Sequence, residues 1–276
     1  LPTWWKPMPR ELKPLARTPL SLAECVARID AMGFGAGDET SLHNAAEALA
    51  GLAANRTYLG DMLIDQLAGA MTGTMTGAAT AYGPQALMLA GPRNGYFIRA
   101  NIWPARGDPA YRASGAASFV YGLPHDHNFD FLTVGYFGPG YVSDYWEYDY
   151  VSVRGDVGEP VDLRFVERSA LGEGRVLHYR AHRDVHCQHP PQSLSVSLNI
   201  CAAFPAQGWL DQYRFDTDGK RIAGVLNPSA NEVILRAGVA LGNENARSLT
   251  CDLARHHPSA AMRRVASELS RQIRSG

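Results

Sequence analysis

Apolar positions recur at helical spacing near both ends of the chain and at a spacing of two between them. Leu22, Val26, Ile29 and Met32 follow one another at three- or four-residue steps, Ser21 and Glu24 form a capping box ahead of them, and Gly33 closes the helix. A second helical pattern runs from about Ser41 through Leu42, Leu49 and Leu52, and a third through Leu59, Leu63 and Leu67 with Asp61 and Asp65 outside. Near residue 95 the period changes. Short runs rich in Val, Tyr, Phe and Ile, parted by Gly and Pro, predict strands at 95–103, 117–123, 129–137, 141–150, 161–168, 174–181, 184–189, 193–203, 209–216, 220–226 and 232–237. Asp218-Gly219 reads as a hairpin turn. Strands that follow one another without crossover helices make an antiparallel sandwich or barrel, a jelly roll among the options. From about Asn243 the helical period returns, with Pro258 near a helix start and an apolar stripe of Met262, Val265, Leu269 and Ile273 beside Arg263, Arg264 and Arg271. The expected class is mainly β with helical flanks: a helical extension over 1–90, a barrel over 91–242 and a helical tail over 243–276. The Ala- and Gly-rich segment 68–80 is the expected linker.

Composition narrows the function classes. Apolar residues make up 46% and charged residues 19% of the 276, the balance of a folded chain. With 26 basic against 27 acidic residues and no long run of one sign, nucleic acid is not expected as a partner. No apolar run approaches the roughly 18 residues of a membrane span, and the opening LPTWWKPMPRELKP lacks the layout of a signal peptide. A soluble, cytoplasmic protein is the expectation. Cys25, Cys187, Cys201 and Cys251 are dispersed and form no CxxC pair, so reduced thiols are expected. The apolar side of the last helix offers a surface for packing on the barrel or for a homodimer.

Candidate chemistry concentrates in Gly122-Leu-Pro-His125-Asp-His127-Asn-Phe-Asp-Phe-Leu-Thr-Val-Gly135. Histidines two apart on extended backbone point to one face, so His125 and His127 can meet a single metal ion. A third ligand is expected from His178-Tyr-Arg-Ala-His182-Arg-Asp-Val-His186-Cys-Gln-His189, where His186 is the choice and His182 and His189 remain candidates. Asp130 is a weaker ligand candidate because alternation turns it to the opposite face, and Asp126 should point away and orient a neighbour. Neutral imidazoles suit iron, zinc, copper and nickel, and a three-histidine face leaves up to three positions open on an octahedral ion. Iron would activate oxygen, whereas zinc would act as a Lewis acid or hold a hydroxide.

These residues give the chain, over about 95–240, a resemblance to the cupin superfamily, whose first motif carries His-x-His after a glycine and whose second carries a lone His before a turn and strand. Within it the chain is most similar to thiol dioxygenases of the cysteine dioxygenase type, which use His-Asp-His, a distant third His and no carboxylate ligand. That resemblance implies Fe(II) held by His125, His127 and His186, a small-molecule substrate with O2, and Arg99 in Tyr96-Phe-Ile-Arg99 as the clamp for a substrate carboxylate. An arginine there equally suits pairing with Glu147 or Asp144. The chain departs from the pattern at three points. Phe131 and Leu132 stand where the first motif usually has Glu, the Pro and Gly before the second-motif His are missing, and the late Ser-x-His-x-Tyr reads Ser197-Leu-Asn199-Ile-Cys201. The expected function is an Fe(II) oxygenase acting on a small chelating molecule such as an amino acid. The alternatives are a redox-neutral isomerase, lyase or hydrolase with Zn, Ni or Mn, and a non-catalytic small-molecule-binding barrel.

Overall fold

The Ser21 hydroxyl accepts the Glu24 amide while the Glu24 carboxylate accepts the Ser21 amide, and this capping box starts helix α1 (Leu22–Met32), which ends at Gly33. Asp38 caps α2 (Glu39–Ala54), and α3 (Tyr58–Thr72) follows. The computed structural model describes residues 10–15, 18–72, 85–227, 230–242 and 244–275, so the expected linker from residue 73 onward lies outside the described residues.

The strands are β1 (Arg10–Leu12), β2 (Ala86–Arg93), β3 (Tyr96–Trp103), β4 (Phe131–Phe137), β5 (Val142–Glu147), β6 (Arg164–Ala170), β7 (Val176–Tyr179), β8 (Asp184–His189), β9 (Ser195–Ala202), β10 (Tyr213–Asp216) and β11 (Arg221–Val225). They form a sheet of order β1-β7-β4-β9-β3-β2, a sheet of order β6-β5-β8 and the hairpin β10-β11, whose turn holds Asp218 and Gly219. Every strand pair is antiparallel. This is the expected jelly-roll barrel with helical flanks.

Alternation along the large sheet divides its residues between two cores. Tyr96, Ile98, Ala100, Leu132, Leu198 and Ile200 face outward onto Cys25, Ile29, Leu42, Leu49 and Leu52 of α1 and α2. Phe97, Trp103, Phe131, Leu177, Tyr179 and Cys201 face inward and meet Tyr145 of the small sheet. A third cluster joins Phe215 and Ile222 of the β10-β11 hairpin to Tyr148, Leu163 and Val185.

Two expected strands are not strands. Residues 117–123 follow the short helix α4 (Pro109–Ser114) as a 3-10 turn, Ala116–Phe119, which Val120 terminates in the left-handed region at φ 59°. Tyr121 there packs on Trp103 with 5.8 Å between ring centroids, and Gly122 donates its amide to the Gln188 carbonyl of β8. Residues 232–237 lie in helix α5 (Ala230–Ala240), which with α6 (Glu244–His256) and α7 (Ala260–Ser275) builds a small separate core of Leu235, Met262, Ala266 and Leu269. Leu235 and the partly buried Val239 sit one helical turn apart, while Val233 and Ile234 are exposed. The four cysteines are free, and among the described residues no helix is long and apolar enough to cross a membrane.

The turn Gly138-Pro139-Gly140 passes the chain from the large sheet to the small one, and both glycines have φ near +80°. A Cβ on Gly140 would lie 1.8 Å from the Leu171 carbonyl oxygen, inside the contact where the Leu171 amide donates to the Tyr141 carbonyl at 3.0 Å. Gly140→Ala is therefore expected to destabilise the protein by about 3 kcal/mol or more. Urea unfolding measures this directly, and a loss below about 1 kcal/mol would mean that the turn relaxes freely.

Candidate metal centre

The segment before β4 is extended but belongs to no named strand, and it reaches the barrel interior through two sets of backbone hydrogen bonds. On one side the His125 amide donates to the His186 carbonyl at 3.0 Å and the His186 amide donates to the His125 carbonyl at 2.9 Å. On the other, the Phe215 amide donates to the Pro124 carbonyl at 2.9 Å and the Asp126 amide to the Tyr213 carbonyl at 3.2 Å. Backbone held this way alternates as a strand does, so His125 and His127 share a face and Asp126 takes the other. Asp126 accepts the Tyr148 hydroxyl and the Tyr213 amide, both at 2.6 Å. Burial pushes its carboxyl up to about 7 against the pull of those donors.

His125, His127 and His186 form the one group of His, Cys, Asp and Glu among the described residues able to hold a metal ion together, with their ligand atoms within 4.8 Å of one another. His186 Nε2 lies 3.2 Å from His125 Nε2 and 3.2 Å from His127 Nε2. Donors about 2.1 Å from a shared cation, at an angle of about 100° to each other, are separated by about that distance. The His125 Nδ1 lies 2.8 Å from the Leu123 carbonyl, which can only accept, so the proton is on Nδ1 and a bare lone pair on Nε2 faces the apex. One ring proton at the apex can bridge only one pair of the three nitrogens. A cation satisfies all three, and the donor set fits one of the imidazole-binding metals.

Burial keeps the rings neutral. It pulls His125 down to about 4 against the opposing Leu123 hydrogen bond, with the Arg99 charge pulling the same way, and it drives His127 and His186 well below the ordinary 6.5. Near neutral pH the rings therefore carry no positive charge that would repel a metal. Phe129 and Phe131 lie 4.9 Å from the His127 ring, and Tyr179 lies 4.8 Å from the His186 ring. The Tyr179 and Tyr145 hydroxyls meet at 2.9 Å.

The remaining candidates lie elsewhere. His189 is three residues from His186, hence on the outer face of β8, where its Nε2 meets Asp144 at 2.8 Å. His182 occupies a turn at φ 57°, packed on Tyr150 with 4.3 Å between ring centroids. Asp130 pairs with His178 at 3.1 Å, on the side away from the apex. Arg99 shares its face of β3 with Phe97 and Trp103 and so points into the barrel, where its charge bears on all three rings. Glu147 pairs with Arg164 and Arg180, and Asp144 with Arg168. Tyr141 and Tyr145 face inward while Trp146 turns out onto Phe165. Gln188, Tyr179 and Asn101 also face this interior without having stood out in the sequence, and Asn199, noted there only as a departure from the family pattern, donates its side-chain amide to the Asn101 side chain at 3.1 Å. The signal for Gln188 was its position two residues after His186 on the same strand.

No family model matches the chain, and no curated protein matches it. Solved structures that it resembles include an RmlC-like cupin protein from Ralstonia eutropha, at 14% identity and a TM-score of 0.28 over 59% of this chain and 81% of that one. Another is the DMSP lyase DddQ from Ruegeria pomeroyi, at 14% identity and 0.27 over 70% and 78%. A salicylate 1,2-dioxygenase from Pseudaminobacter salicylatoxidans matches at 9% identity and 0.27, over 52% of this chain and 33% of its own. At such overlap the strand order, and not the neighbours, defines the fold.

His125→Ala, His127→Ala and His186→Ala are each expected to weaken Co(II) binding at least roughly 100-fold in a chelator competition, whereas His182→Ala and His189→Ala stay within about threefold of wild type. Loss of metal in the His189 variant with retention in the His186 variant would replace His186 by His189 in the ligand set.

Proposed function

We propose that the protein is a metal-dependent enzyme, an Fe(II) oxygenase acting with O2 on a small, anionic, chelating molecule such as an amino acid. The observation that carries this reading is the convergence of three neutral imidazole nitrogens, with no carboxylate in the group. A neutral ligand set leaves the full charge of a divalent cation for a substrate to neutralise, which favours a chelating anion over a neutral one. Bound ferrous iron would supply the one-electron chemistry that dioxygen requires.

The chain's own residues do the rest. Arg99 orients the substrate carboxylate by a bidentate hydrogen bond from the barrel wall. Phe129, Phe131 and Tyr179 crowd the rings and limit water at the reacting atoms. Tyr179, raised well above 10 by burial and by the neighbouring Tyr141 and Tyr145, stays protonated and acts as a hydrogen-bond donor, not a base.

Oxygen uptake by the iron-loaded protein tests this reading against a panel of small carboxylic acids bearing an amino, hydroxyl or thiol group. The expected result is uptake dependent on iron and on one member of the panel. Arg99→Gln is expected to raise its KM roughly 10- to 100-fold without loss of iron. Protein purified with full zinc occupancy and no uptake with any acid after iron loading would favour a redox-neutral enzyme instead.

A further inference from the structure

Gln188 follows His186 by two residues in β8, so the pleat turns both side chains into the barrel. Its strand position is fixed from both edges: Ser143 of β5 is its register partner on one side, and its carbonyl accepts the Gly122 amide at 2.9 Å on the other. The same backbone bonds therefore hold Gln188 and the two histidine-bearing segments. The residue is 5% exposed, with its side-chain Nε2 at 3.3 Å from His186 Nε2 and a buried Oε1 that has no hydrogen-bond partner.

An amide nitrogen only donates, so its contact with His186 lasts as long as the His186 Nε2 lone pair faces it. A cation at the apex takes that lone pair. The Gln188 N–H is then left beside the metal, buried from water, and a buried donor without an acceptor is costly. The group that can relieve it is whatever binds the cation next to His186.

We infer that Gln188 is a specificity-determining residue of this site, donating its side-chain N–H to an anionic atom, such as a carboxylate or alkoxide oxygen, of the exogenous ligand bound beside His186. This rests on the metal-centre reading. The donor and the Arg99 charge lie in the same interior and select together for an anion over a neutral ligand of the same size.

Azide titration of the Co(II)-loaded protein, followed by visible absorption, tests the inference without turnover. Gln188→Leu removes the donor at similar volume. It is expected to leave Co(II) affinity within about threefold while weakening azide binding roughly 10- to 100-fold. Gln188→Glu, nearly isosteric, guards against a folding defect in the leucine variant and is expected to weaken azide binding further by repulsion. Unchanged azide affinity in either folded variant overturns the inference. So does a loss of Co(II) by Gln188→Leu with a tenfold gain by Gln188→Glu, which would make Gln188 a ligand and not a donor. Wild-type protein that retains no Co(II) overturns the metal reading itself, before any variant is compared.

Discussion

A reciprocal pair of backbone hydrogen bonds between His125 and His186 holds the site together. Each residue's amide donates to the other's carbonyl, at 3.0 and 2.9 Å, across a sequence separation of 61 residues. Because the register of an antiparallel pair fixes the direction of every side chain, this one bridge brings His125 and His186 to the same interior point and carries His127 in by alternation. A slip of one residue would turn Asp126 inward and the imidazoles out. The small sheet and the β10-β11 hairpin clamp the segment from opposite edges, so the register is over-determined.

Burial then sets the chemistry of the apex. Rings withdrawn from water, His125 and His186 fully and His127 in part, stay neutral, and the Arg99 charge adds to the same effect. The carboxylates near the site are occupied elsewhere: Asp126 by Tyr148 and Tyr213, Asp130 by His178, Asp144 by Arg168 and His189. The cluster is thus nitrogen-only by construction of the fold, and the positive charge of any bound metal is left for an incoming ligand to meet. The apolar and phenolic residues around it contribute by excluding solvent, which strengthens every charge interaction inside.

Much of this could be read from the sequence where local chemistry and tertiary packing agree. The Ser21 capping box, the spacing of His125 and His127, and the 184–189 strand are local patterns that packing reinforces. The reading failed where packing decided against local preference. Glu-Val-Ile-Leu-Arg over 232–236 is a good strand sequence, but Leu235 finds its burial against α7 and the segment is helical. β2 escaped notice because Gly91 and Pro92 look like breakers, yet an edge strand with bulges in its pairing to β3 tolerates both. β1 has three residues and exists only because β7 offers it an edge. Gln188 was legible only through His186: a glutamine carries no signal of its own, and the strand 184–189 merely sets it on the same face two residues on.

X-ray absorption at the metal edge of protein loaded with one equivalent of iron or cobalt tests most directly whether three imidazoles grip one cation. The account predicts a first shell of nitrogen and oxygen at about 2.0–2.2 Å with the outer-shell scattering of three histidine rings. A sulfur in the first shell, or ring scattering from fewer than two histidines, would contradict it.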